Sequence, residues 1–98
     1  MARVKIERIR EKIRLLQYDM SAHAMEEMAE DGLTIVDVEH AILGGHMVGV
    51  WMDDPRGTRY IVEGVAADQR TLVGVVGRLT GSGRYLIITV YRLYEMGG

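Results

Sequence analysis

The sequence contains no cysteine, which excludes a disulfide framework and a thiolate metal site. It has no apolar run near the ~18–20 residues of a membrane span. Its charged start, Arg3, Lys5, Arg8 and Arg10, lacks the apolar centre of a secretory signal. No membrane partner is expected, and a cytoplasmic location is the default. The single proline, Pro55, falls inside a turn signal; phenylalanine and asparagine are also absent, which says little about chemistry. One absence is local: from Leu15 to Pro55 there is no lysine or arginine.

That gap organises the charge. Residues 1–14 are net +4, residues 15–55 carry nine acids and no lysine or arginine, and residues 56–98 are net +3 with arginine as the only cation. The formal net charge of −2 argues as an average against a nucleic-acid partner. Its distribution leaves two uses open, a basic sheet surface that meets phosphates or an acidic surface that meets a basic protein. The plain alternative is that helices and strands have differently solvated faces.

At 98 residues, 48% hydrophobic and 27% charged, the chain reads as one folded domain, 1–98, with a single modest core. Its parts are an N-terminal amphipathic helix (1–16), a helical pair (17–45) and an antiparallel sheet (46–94). The first helix spans 3–16, with Ile6, Ile9, Ile13 and Leu16 as one stripe. The second spans 21–31, with Ser21 as N-cap and Gly32 past its end. The third spans 35–43 and begins with Thr34 and Asp37 in capping-box spacing. Residues 46–52, 58–66, 71–79 and 84–93 are rich in Val, Ile, Thr and Tyr and are separated by turn signals. The expected fold class is α+β, two to three N-terminal helices packed on one face of a four-stranded antiparallel β-sheet. Alternation in the last strand puts Leu86, Ile88 and Val90 towards the helices, and Tyr85, Ile87, Thr89 and Tyr91 on the open face.

Among residues that carry chemistry, His23 is the sharpest. It lies in the first turn of a helix, where the dipole favours a neutral ring suited to general-base work. The competing reading is a structural histidine, which is favoured for His40 and His46. His23 and Glu27 are four apart on one helix face, a spacing that equally describes a local ion pair. No metal-ligand motif occurs, and neither a metal nor a cofactor is expected. Gly81-Ser82-Gly83 fits a hairpin turn, not a phosphate loop.

Three segments then carry a resemblance. They are Ser21-x-His23-Ala24-x-x-x-Met28-x-x-x-Gly32-Leu33-Thr34, the Asp37-Val38-Glu39 helix ending at Gly44, and Ile87-Ile88-Thr89-Val90-Tyr91. Over roughly residues 15–93 the chain resembles a bacterial and archaeal family of small domains of unknown function. That family is grouped with BrnT-like and RelE/MqsR-like toxins, which share the barnase–EndoU–colicin–RelE type of metal-independent ribonuclease fold.

The resemblance implies a toxin-like endoribonuclease of a toxin–antitoxin pair, with His23 as base or acid and Thr89 and Tyr91 hydrogen-bonding the phosphate. Many members carry arginine where this chain has Glu27 and Asp31, so a diverged or inactive member is also implied. Arg59, Tyr60, Arg78 and Arg84 are candidate substrate contacts chosen by charge and strand position. The expected partners are RNA, and an antitoxin or a second copy held through the N-terminal helix. The competing class is a non-catalytic interaction module.

Overall fold

The fold is taken from a computed structural model of the chain, which describes residues 4–95. Three helices, α1 (Ile6–Arg14), α2 (Ala22–Glu30) and α3 (Ile35–Gly44), precede four long strands, β2 (His46–Trp51), β3 (Arg59–Val65), β4 (Thr71–Leu79) and β5 (Tyr85–Glu95). A short strand, β1 (Tyr18–Met20), lies between α1 and α2. The α+β class holds, but the sheet has five strands in the order β1-β5-β4-β3-β2 and is mixed, not four-stranded and antiparallel. β2 to β5 form the expected antiparallel meander, while β1 pairs parallel to β5 through Tyr18–Tyr85, Asp19–Leu86 and Met20–Ile87. Three residues between two helices are too few to display a period of two, so β1 left no pattern to read.

The helix boundaries follow local chemistry. Ser21 Oγ accepts the Ala24 N–H at 3.1 Å, and Thr34 and Asp37 form the expected capping box at the start of α3. Gly32 turns the chain after α2 with φ +68°. The first helix ends earlier than its stripe suggested. Leu16 takes φ +57°, the Gln17 N–H reaches back to the Lys12 carbonyl, and the Leu16 side chain faces solvent. A leucine thus occupies the left-handed position that glycine usually fills. The expected start of this helix at residue 3 lies outside the described residues.

Ile9 and Ile13 are buried against their own fold, in one cluster with Val38, Ala41 and Ile42 of α3 and Val73, Val75, Tyr85, Ile87 and Val90 of the sheet. Of the stripe Ile6, Ile9, Ile13 and Leu16, the two central isoleucines are spent inside the molecule, Ile6 is half-buried and Leu16 faces solvent. Each fully buried Ile or Val contributes about 1.5–3 kcal/mol relative to exposure. Arg10 of α1 donates to the Gly45 carbonyl at 2.6 Å and Tyr18 donates to Glu39 at 2.5 Å, tying α1 to the C-cap of α3 and β1 to its middle.

The expected face assignment for β5 needs correction. Tyr85, Ile87 and Val90 are buried, whereas Leu86, Ile88, Thr89 and Tyr91 are half-buried. The register explains it: Gly77 pairs with Ile87 but Val76 pairs with Thr89, so Ile88 is an extra residue on β5. One extra residue inverts the alternation beyond it. Tyr85 and Ile87 face the helices, and Thr89 and Tyr91 keep the open face.

Candidate functional site

β1 ends at Met20, and from there α2 takes over the edge of β5 that β1 had covered. The Ser21 N–H donates to the Ile87 carbonyl at 2.9 Å, and Ser21 Oγ donates to the Ile88 carbonyl at 3.0 Å. Glu27 Oε1 accepts the Val90 N–H at 3.2 Å, and Asp31 Oδ2 accepts the Arg92 N–H at 3.1 Å. An edge strand needs partners for its outward N–H groups. Two carboxylates four residues apart on one helix face match N–H groups two residues apart on a strand, since both repeats span about 6 Å. Glu27 and Asp31, the acids that depart from the resemblance, thus hold β5 to α2. An arginine has no acceptor to offer at either place.

The second oxygen of Glu27 faces His23. Glu27 Oε2 lies 3.4 Å from His23 Nε2, and the imidazole is 67% exposed. The tautomer that places a proton on Nε2, beside the carboxylate, leaves the Nδ1 lone pair free to accept one. A carboxylate that is itself held by a backbone N–H thus stands beside an exposed imidazole. Glu27 was noticed in the sequence only as a helical neighbour of His23. Its bond to Val90 depends on a contact between segments far apart in the chain, and no local spacing announces it.

Thr89 and Tyr91 flank Val90 and project from the helix-free face, one register step apart from each other. Among the described residues no hydrogen bond or ion pair joins either side chain to His23; the link runs through Glu27 and the β5 backbone. Burial and, secondarily, the nearby Glu63 carboxylate push the Tyr91 phenol up from its ordinary range.

The four substrate-contact candidates do not gather around His23. Tyr60 belongs to the core: it is 3% exposed, and its hydroxyl accepts the Val4 N–H at 3.0 Å. Arg59 lies over the Trp51 ring, 5.1 Å from its centroid, and pairs with Asp54 at 3.2 Å. Arg84 pairs with Asp19 at 2.8 Å and donates to the Tyr18 carbonyl at 3.0 Å, fastening β1 to β5. Hydrogen bonding from Arg84 lowers the Asp19 carboxyl below its usual range, and bonds from the Arg56 backbone and side chain do the same for Asp54. Arg78 lies on the helix-free face, and among the described residues it has no carboxylate partner.

The other two histidines differ. His40 Nδ1 donates to the Val65 carbonyl at 2.9 Å, with Gln69 Nε2 at 3.5 Å from its other nitrogen, a structural role. His46 is exposed at the start of β2, in register with Glu63. Among the described residues no group of three or more His, Cys, Asp or Glu is placed to hold a metal ion.

Residues 20–92 match a protein family described as a domain of unknown function, DUF4258. The chain belongs to the DUF4258 family. The match runs from the last residue of β1 into the second half of β5. It therefore takes in every element that carries His23, Glu27, Thr89 and Tyr91, and leaves out α1. No curated protein and no solved structure matches the chain. Within this DUF4258 domain no described helix is long and apolar enough to cross a membrane.

Proposed function

We propose that this DUF4258 domain is a toxin-like, metal-independent endoribonuclease, with His23 as general base and Glu27 as its positioning residue. The carrying observation is the exposed His23 imidazole set against a carboxylate that is anchored to the Val90 N–H. In this reading His23 Nδ1 takes the proton of a ribose 2′-hydroxyl, whose oxygen attacks the adjacent phosphorus. The P–O5′ bond breaks, and the leaving oxygen receives a proton from a hydroxyl donor or water. Glu27 stabilises the imidazolium that forms. Thr89 and Tyr91 offer hydroxyls to the bound RNA on the helix-free face, and Arg78, which among the described residues has no carboxylate partner, offers a positive charge to its backbone away from the scissile phosphate.

The test is incubation of the purified protein with RNA in EDTA. Cleavage is expected, reduced about 10²–10⁴-fold in His23→Ala. Glu27→Gln should shift the pH profile of the rate as well as lower it. No cleavage by the wild type, or equal cleavage by His23→Ala, sinks the proposal.

A second reading, a non-catalytic interaction module, is favoured by one feature. β2 is an edge strand of the sheet, with Val48, Trp51 and the adjacent Met52 exposed. Such an edge can accept another strand. Sedimentation separates the two: a concentration-dependent dimer that loses mass when Val48 is changed to Lys supports this reading, and a monomer at all concentrations removes self-association from it.

A further inference from the structure

The helix-free face carries a second constellation, away from His23. His46 of β2 pairs in register with Glu63 of β3, Glu63 with Gly74 of β4, and Gly74 with Tyr91 of β5. These four residues form one row across the sheet. Gly74 is the gap in that row, and the phenol end of Tyr91 fills it: a Cβ at Gly74 would fall on the ring and hydroxyl of Tyr91. The ring therefore reaches from β5 over β4 towards Glu63.

On the β2–β3 side of the row lies a concavity of about 300 Å³ that Tyr91 itself does not line. Val48, Val65 and Leu72 provide apolar walls, and His46 and Glu63 are its ionisable side chains. Among the described residues the Glu63 carboxylate has neither a hydrogen-bond donor nor an ion-pair partner.

These features restrict the occupant. The volume is at the small end for ligand sites, which suits one ring system better than a lipid chain or a folded segment. A carboxylate in the wall repels phosphate and asks for an N–H donor. Apolar walls favour a flat, neutral body. We propose that this pocket is a nucleobase subsite that takes a base with an exocyclic amino group, the amino N–H donating to Glu63 and the ring lying between Val48 and Leu72. The subsite rests on the ribonuclease reading for its ligand class. It lies two to three strand spacings from β5, on the order of 10–14 Å, so the base it holds belongs to a nucleotide near the scissile one, not to the scissile phosphate itself.

The experiment uses RNA decamers with 2′-O-methyl groups throughout, which cannot be cleaved, and reads binding by fluorescence anisotropy. The probes are a uridine decamer and the same decamer with one central adenosine, cytidine or guanosine. Uracil alone lacks an exocyclic amino group. Decamers with an amino-bearing base are expected to bind about tenfold more tightly than the uridine decamer, as for one hydrogen bond to a charged acceptor. Glu63→Val keeps a good strand residue and should abolish that preference, so that the four decamers bind alike. Leu72→Ala should weaken all four probes.

Equal binding of the four decamers by the wild type, an undiminished preference in Glu63→Val, or no binding of any probe overturns the subsite. Base-selective binding without cleavage of natural RNA overturns the nuclease reading and keeps the subsite. Cleavage without base selectivity does the reverse.

Discussion

Tyr85 and Tyr91 are the same residue type on the same strand, six positions apart, and simple alternation gives them one face. They lie on opposite faces because Ile88 is an extra residue between them. Each lays its ring over a glycine of β4, Tyr85 over Gly77 on the helix side and Tyr91 over Gly74 on the open side. The Tyr85 hydroxyl ends in the interior with no hydrogen-bond partner, and burial pushes its pKa well up.

A double-mutant cycle tests the pairing of ring and gap. Gly74→Ala should destabilise by about 1–3 kcal/mol in the wild type, because the new methyl displaces the ring. In a Tyr91→Ala background the same change should be neutral or stabilising by up to about 1 kcal/mol, since alanine suits a strand better than glycine. Equal costs in both backgrounds would show that the two residues are independent. A bulge leaves no mark in composition or spacing, which is why the open-face placement of Thr89 and Tyr91 was legible and the helix-side placement of Tyr85 and Ile87 was not. His23, Ser21, Thr34 and Gly32 were legible because caps and helix stops depend on neighbours in the chain.

A single carboxylate gives a second prediction at this scale. Asp68 accepts from the Thr71 backbone and hydroxyl and from the Arg70 backbone, and these bonds hold its pKa down to about 2 from 3.8. A depressed folded-state pKa contributes stability that is fully present above about pH 4 and lost as pH falls towards 2. The urea midpoint of wild type should exceed that of Asp68→Asn near neutrality, and the gap should close below pH 4. A gap that is constant with pH would refute the assignment.

Among the elements, α2 does the most varied work. Its N-terminus is capped by Ser21, its inner side buries Ala24, and its carboxylates serve as partners for the edge of β5. Ser21 both accepts from Ala24 and donates to Ile88. Ser21→Ala should therefore cost more than the removal of an ordinary cap, about 2–3 kcal/mol, against about 1 kcal/mol for Thr34→Ala at the more exposed start of α3. Urea denaturation of the two variants gives the comparison, and the reverse order would contradict the double role of Ser21. The helix itself was legible in the sequence as an amphipathic segment with a good cap. Its second function was not, because the acids at 27 and 31 occupy its polar side, and polar residues there are usually read as solvated.

Across the whole molecule, the segregated charge has partly local explanations. Arg56 and Arg59 pair with Asp54 and Arg84 with Asp19, so the arginine-rich C-terminal half presents less free positive charge than its count suggests. The topology matters more. β2 to β5 join by short turns between neighbours, and each hairpin closes a small loop. β1 can find its place only when β5 is formed, and the chain between them is the rest of the fold.

Ordering in time follows from this, because closing a long loop is entropically slow while short hairpins close early. Met20→Ala, at the β1–β5 seam, should speed unfolding and change the folding rate less than twofold, whereas Val75→Ala in β4 should slow folding. Stopped-flow measurements on both variants decide it, and a Met20→Ala chain that folds as slowly as its stability loss would allow puts β1 in the nucleus instead. On the ribosome, β1 is synthesised before any other strand and docked after all of them. Its backbone groups then wait, without a sheet to join, until the last strand has emerged.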